Sequence, residues 1–186
     1  MVQSTSNRLS RDAWVDHGLR TLAESGPEAL NANGLCRALG VSRGSFYWHF
    51  ENMEAFELAV LTAWRERTTE AAIAALESLP PGTGRLEGLI ERVLAGRDPI
   101  EGAVRRWSTS RPLVAEALAI VDALRLEYLM AELQAAGVSP DEARIRATVM
   151  VWACAGRSVV AEPLGFGEPA WPQRLSDLFA AALKPD

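Results

Sequence analysis

Read for apolar spacing, the chain is a succession of helices. Trp14, Gly18, Leu19 and Leu22 recur at intervals of three and four after the capping residue Ser10, and Gly26-Pro27 ends that stripe. Asn31 suits the cap of a second helix carrying Leu35, Ala38 and Leu39 inward, and Gly40 leaves it in a turn that Val41 plugs. Gly34 inside this helix lowers its propensity, with no reason visible beyond close approach to another backbone. Ser42 is placed to cap a third helix through its hydroxyl. Phe46 and Phe50 stand four apart and point inward. Asn52 then caps a long helix, to about Leu79, with Phe56, Val60 and Trp64 on one face. The remainder repeats the pattern. A loop at 79–84 precedes Leu86, Leu89, Ile90, Val93 and Leu94, and Arg97-Asp98-Pro99 breaks the helix they define. A short helix from Ile100 to about Ser110 and a long one from Pro112 to Ala136 follow. Gly137 stops the latter, and Ser139-Pro140-Asp141-Glu142 reads as a capped start for a helix reaching about Ala161. After a loop, Pro163 to Pro169, a last helix from Trp171 to Leu183 aligns Leu175, Leu178, Phe179 and Leu183. No alternating strand pattern and no long-period repeat occur. The expected fold is all-α, with about nine helices.

The third helix carries the chemistry. With both Phe side chains inward, Arg43, Ser45, Tyr47, Trp48 and His49 are left for its other faces. Arg pairs with guanine edges or phosphate, hydroxyls and imidazole reach phosphate oxygens, and aromatic rings contact thymine methyls and sugars. Such a helix, following a short helix and a tight turn, is what a helix-turn-helix reader requires. A helical hairpin whose aromatics merely pack is the alternative.

The stretch resembles the DNA-binding region of TetR-type bacterial transcriptional regulators, whose pattern is G-V-S-x-G-[ST]-apolar-Y-x-H-F. Gly40, Val41, Ser42, Gly44, Ser45, Phe46, Tyr47, His49 and Phe50 occupy the matching places. The resemblance covers about the first 60 residues; beyond them only helix order and length agree. It implies a DNA-binding domain over residues 1–50 and a ligand-binding and dimerisation domain over 51–186. Taken with the outward face of the third helix and the first turn of the second, the residues expected at the DNA are Asn31, Asn33, Ser42, Arg43, Gly44, Ser45, Tyr47, Trp48 and His49. One departure stands out: Met53 occupies the place of a usual phosphate-contacting Lys, which reduces the sequence-independent part of DNA affinity.

Charge adds a qualification. The chain carries net charge -5, yet residues 1–50 hold five Arg against four acids while the remainder holds 14 basic and 20 acidic groups. Phosphate affinity per subunit is therefore expected to be modest. Two cysteines far apart, two histidines and no CxxC or HExxH leave no basis for a metal site or cofactor. No nucleophile–base spacing or paired carboxylates suggest an enzyme. The segment MVQSTSNRLSRD lacks the apolar run of a signal peptide, and Ala147 to Gly156 is too short to span a bilayer. A cytoplasmic protein without membrane contact is expected.

The resemblance further implies a homodimer. Thr148, Trp152, Ala155 and Gly156, with Leu175, Phe179 and Ala182 of the last helix, are the candidate interface faces. The central helices should enclose a pocket for a small-molecule effector, with Trp64, Trp107, Tyr128, Met130 and Trp152 as candidate linings. Plain core packing is the alternative for each. Arg106 and Arg157 are placed to hold an anionic group, or to pair with Glu101 and Glu162. The function expected is a repressor released from a pseudo-palindromic double-stranded DNA operator by a hydrophobic ligand. The competing reading is a relative that has lost DNA binding and acts through protein contacts.

Overall fold

A computed structural model describes residues 9–94, 98–158 and 171–181. Among these residues every regular element is helical. They are α1 (Arg11–Ser25), α2 (Ala32–Leu39), α3 (Arg43–His49), α4 (53–76), α5 (Thr83–Leu94), α6 (Pro99–Ser108), α7 (Pro112–Ala135), α8 (Pro140–Arg157) and α9 (Trp171–Ala180). A short 3-10 turn, Pro27–Ala29, joins α1 to α2. The loop from Pro163 to Pro169, Ala182 and Leu183 lie outside the described residues.

Helix starts follow from local side-chain chemistry. Ser10 Oγ accepts the Ala13 N–H at 3.1 Å, Asn31 Oδ1 that of Gly34 at 2.8 Å, and Asn52 Oδ1 that of Ala55 at 2.8 Å. Asp98 is more than a break: its Oδ1 takes the Ile100 N–H at 2.8 Å and Pro99 opens α6. Ser42 and Ser139 hold cap positions in extended backbone, but neither hydroxyl makes a cap bond. At Ser42 the carbonyl accepts from Ser45 N at 3.0 Å, and at Ser139 from Ala143 N at 2.8 Å. Glu142, the last residue of the expected start signal, pairs with Arg146 at 2.8 Å.

The long helix α4 departs from the regular one expected. Met53–Arg65 passes through a π-helical turn, Glu66–Glu70, into Ala71–Leu76. The Ala71 N–H bonds the carbonyl of Glu66, five residues back. Thr68 Oγ1 donates to the Trp64 carbonyl at 2.8 Å, so a side chain supplements the widened ladder.

Two hydrophobic clusters hold the helices. The first gathers Trp14, Leu22, Leu35, Phe46, Phe56 and Val60 from α1–α4 with Val104 and Trp107 of α6 and Val114, Leu118 and Val121 of α7. The second gathers Leu86 and Ile90 of α5, Leu129 and Leu133 of α7, and Ala143, Ala147 and Met150 of α8, with Leu175 and Phe179 packed against it. The helix α7 serves both, its first half in one cluster and its second half in the other. Close approach of α1 to α4 requires Gly18, where a Cβ would fall 2.6 Å from Phe56 and 2.7 Å from Val60.

Candidate DNA-reading helix and central cavity

The turn between α2 and α3 is set by Gly40, at φ 65° in the left-handed region. Val41 N then donates to the Cys36 carbonyl at 3.0 Å, and the Cys36 thiol donates to Ser42 O at 3.7 Å. The α3 helix is pinned by rings. Phe46 lies edge-on to Trp14 at 5.4 Å and contacts Phe56 at 5.3 Å, while Phe50 meets Phe56 at 5.0 Å. Phe46 and Phe50 are buried, as their spacing implied.

This anchoring turns the polar set outward. Tyr47 is 44% and Trp48 71% exposed, Arg43, Gly44 and Ser42 are exposed, and Ser45 and His49 are half-buried. Arg43 Nη2 donates to the Tyr47 hydroxyl at 3.2 Å, with its guanidinium 5.6 Å from the ring centroid, so the two act as one unit across a helical turn. Asn33 is exposed on α2. Asn31 is exposed too, but both ends of its amide are engaged, accepting from Gly34 N and donating to Ala29 O at 3.3 Å. A Cβ at Gly34 would meet the Asn31 side chain at 3.2 Å rather than another backbone. Met53 is half-buried against the first cluster, so an apolar contact stands where a cation was expected.

A cavity of about 470 Å³ lies between α4, α5, α7 and α8. Thr68 and Thr69 of the π-helical turn form one side, continued by Ala72, Ile73 and Leu76. Leu89 and Val93 come from α5, Tyr128 and Leu129 from α7, and Val151, Cys154 and Arg157 from α8. Glu101 and Arg125 complete the wall.

Of the five side chains expected to line a pocket, the cavity takes Tyr128 alone. Met130 is two residues further along α7, about 200° around the helix, and packs on the second cluster. Trp152 is 69% exposed, because Val151 and Cys154 already use the inward face of α8. Trp64 is sealed in the first cluster beneath the Arg125 guanidinium, 5.8 Å from its ring, and Trp107 is buried in the same cluster. Arg106 is exposed, while Arg157 lines the cavity.

Sequence reading missed the charged network in the wall. Arg125 donates from both Nη atoms to the two oxygens of Glu101, each at 2.9 Å, and from Nε to Thr69 Oγ1 at 3.2 Å. Arg105 donates to Glu101 at 2.7 Å and to Asp122 at 3.0 and 2.7 Å. Burial alone would raise the Glu101 carboxyl, but Arg125 and Arg105 outweigh it and hold it below the usual glutamate range. Burial pushes the Cys154 thiol up, away from thiolate chemistry. No metal-holding cluster of His, Cys, Asp and Glu occurs among the described residues.

The ring-anchored turn, the outward polar helix and the helical body define a helix-turn-helix protein with an internal cavity. Residues 15–60 match the family described as bacterial regulatory proteins, tetR family. The segment is similar to the tetracycline repressor protein class C of Escherichia coli, 39% identical over 49 residues. That match spans 26% of this chain and 22% of the repressor. The whole chain shares its fold with GusR of Salmonella enterica, at a TM-score of 0.71 and 19% identity, covering 94% of this chain and 99% of that one. It is also similar to a putative transcriptional regulator of Pseudomonas aeruginosa PAO1, at 0.71 and 16%, covering 95% and 93%. A third likeness is to the multidrug binding protein EbrR, crystallised with imidazole, at 0.68 and 17%, covering 94% and 96%.

Proposed function

We propose that the chain is a ligand-responsive, DNA-binding transcriptional repressor that works as a homodimer on a pseudo-palindromic operator. The observation that carries this reading is α3, which exposes Arg43, Tyr47 and Trp48 on a helix fixed from behind by Phe46 and Phe50. Residues 1–50 supply the DNA contacts. The body, 51–186, supplies the ligand chamber and the partner contacts.

The partner surface is the outer face of α8. Ile145, Val149 and Trp152 are exposed at spacings of four and three, and Leu178 of α9 is exposed nearby in sequence to the second cluster's Leu175 and Phe179. The last two turn inward, so Leu178 replaces them in the proposed interface. Two-fold pairing through such faces would set the two reading helices about 34–36 Å apart, one turn of DNA.

Ligand control runs through α4. Its first part packs in the cluster that holds α1 and α3, and its π-helical turn borders the cavity. Arg67 of that turn pairs with Asp16 of α1 at 2.6 Å. A ligand that fits one setting of this helix more tightly than another changes the spacing of the reading helices, and only that difference in affinity drives release.

The test is selection of bound fragments from the source genome, then titration of the best fragment at two salt concentrations. An inverted repeat with a steep salt dependence, weakened on Tyr47→Ala and weakened with relaxed base preference on Arg43→Ala, is expected. No enrichment, or binding indifferent to both substitutions, would sink the reading.

A further inference from the structure

Resting on the reading of the cavity as the effector site, we propose that its ligand is an uncharged hydrophobic molecule and that Glu101 sets this selectivity. Glu101 stands in the cavity wall at 8% exposure. Its two oxygens fill the fork of Arg125, Nη1 to Oε1 and Nη2 to Oε2, both at 2.9 Å. A planar guanidinium presents this same fork to a ligand carboxylate. Here the chain's own carboxylate occupies it.

An arriving anion would have to displace Glu101 or settle beside its negative charge. An arriving cation meets a carboxylate already holding three N–H donors, since Arg105 Nε adds a third at 2.7 Å. The second acid of the network, Asp122, takes both Nη atoms of Arg105. Two arginines therefore face two carboxylates and their charges cancel. Three further charged groups border the cavity outside this network. Asp98 caps α6, Arg92 is exposed to water, and Arg157 is not free.

Most of what remains for a ligand is apolar, with neutral hydroxyls at Thr68, Thr69, Tyr128 and Ser158. Ile73, Leu76, Leu89, Val93, Leu129 and Val151 supply aliphatic wall. Tyr128 is the sole aromatic ring among the described lining residues, so no cage of rings is present to hold a flat or quaternary cation. In such surroundings an unpaired ligand charge loses its hydration without replacement, whereas a neutral molecule loses little.

The test is equilibrium dialysis of the full chain with four probes of one shape: ethylnaphthalene, acetylnaphthalene, naphthoate and (aminomethyl)naphthalene, all substituted at the same ring carbon. The two neutral probes should bind at least about tenfold more tightly than the two charged ones. Glu101→Gln should leave the Arg125 charge and one of its fork N–H groups unanswered, and so raise the affinity for naphthoate relative to ethylnaphthalene by about tenfold or more. Wild-type preference for either charged probe would overturn the proposal without recourse to any variant. So would a Gln variant in which naphthoate gains nothing relative to ethylnaphthalene. Binding of none of the four would instead remove the effector-site reading itself, and this inference with it.

Discussion

At Glu101 burial and pairing pull in opposite directions, and pairing prevails. The side chain is 10% exposed and answers two arginines, so its loss leaves Arg125 in the wall without its main partner. Glu101→Gln should lower stability at neutral pH by about 3 kcal/mol, the low end for breaking a buried pair, because Gln keeps one acceptor oxygen. The sign with pH follows from linkage. A carboxyl whose folded pKa is depressed gives its full stabilisation above the unfolded value, about 4.3 for Glu, and loses it as pH falls through the folded value. Urea midpoints of wild type and variant should thus differ by a constant amount above about pH 5 and converge below about pH 4. A gap unchanged into acid would show that the pairing is not ionic. The exposed pairs Arg67–Asp16 and Arg65–Glu70 deserve no such weight, because water screens them.

Among the helices, α4 is the one whose internal geometry the sequence hid. Its π-helical turn holds one residue more than an α-helix of the same length would. Removing one residue from 66–70 should let the helix close into regular geometry with the faces on both sides kept in register. Removing one residue from 57–61 should rotate everything beyond by about 100° and tear Trp64 from its cluster. Thermal melts should show the first deletion folded and the second grossly destabilised; equal damage from both would refute this account. Most other element boundaries were legible because caps announce them: Ser10, Asn31 and Asn52 each bond the backbone as their position implies. Where polar groups had alternative partners the signal failed, as at Glu142, which turned to Arg146. The outward face of α3 was legible for a different reason, since two inward Phe at a spacing of four fix what the other residues face. The cavity was not legible. Its wall is assembled from five helices, and aromatic content is a poor guide when a large ring fills core as readily as it lines space, as Trp64 and Trp107 do. The salt-bridge network joins Glu101, Arg105, Asp122 and Arg125 across two helices, and no spacing along the chain signals pairing between helices.

At the level of the whole molecule, the outer face of α8 leaves Ile145, Val149 and Trp152 in solvent, with Trp152 the largest apolar group so placed on that helix. Trp152→Asp should shift the protein from dimer to monomer in sedimentation velocity while leaving its melting temperature within a few degrees, since the side chain supports no core on its own subunit. Operator affinity should fall by about two orders of magnitude or more, because a monomer grips a single half-site. A Trp152→Asp dimer that still binds DNA would place the interface elsewhere. The first hydrophobic cluster bears on how such a protein could be re-engineered. It joins α1, α3 and α4 to α6 and the first half of α7, so the seam between reader and body is itself core. A reader domain transplanted from a relative at a cut near residue 50 would arrive without Val104, Trp107, Val114 and Leu118, the side chains it must interlock with. Exchangeable parts in this architecture therefore follow the packing rather than the order of the chain: a graft that changes the operator must carry matching residues of α6 and α7, more than a hundred positions away from the first helix it serves in some cases, as Val121 is from Trp14.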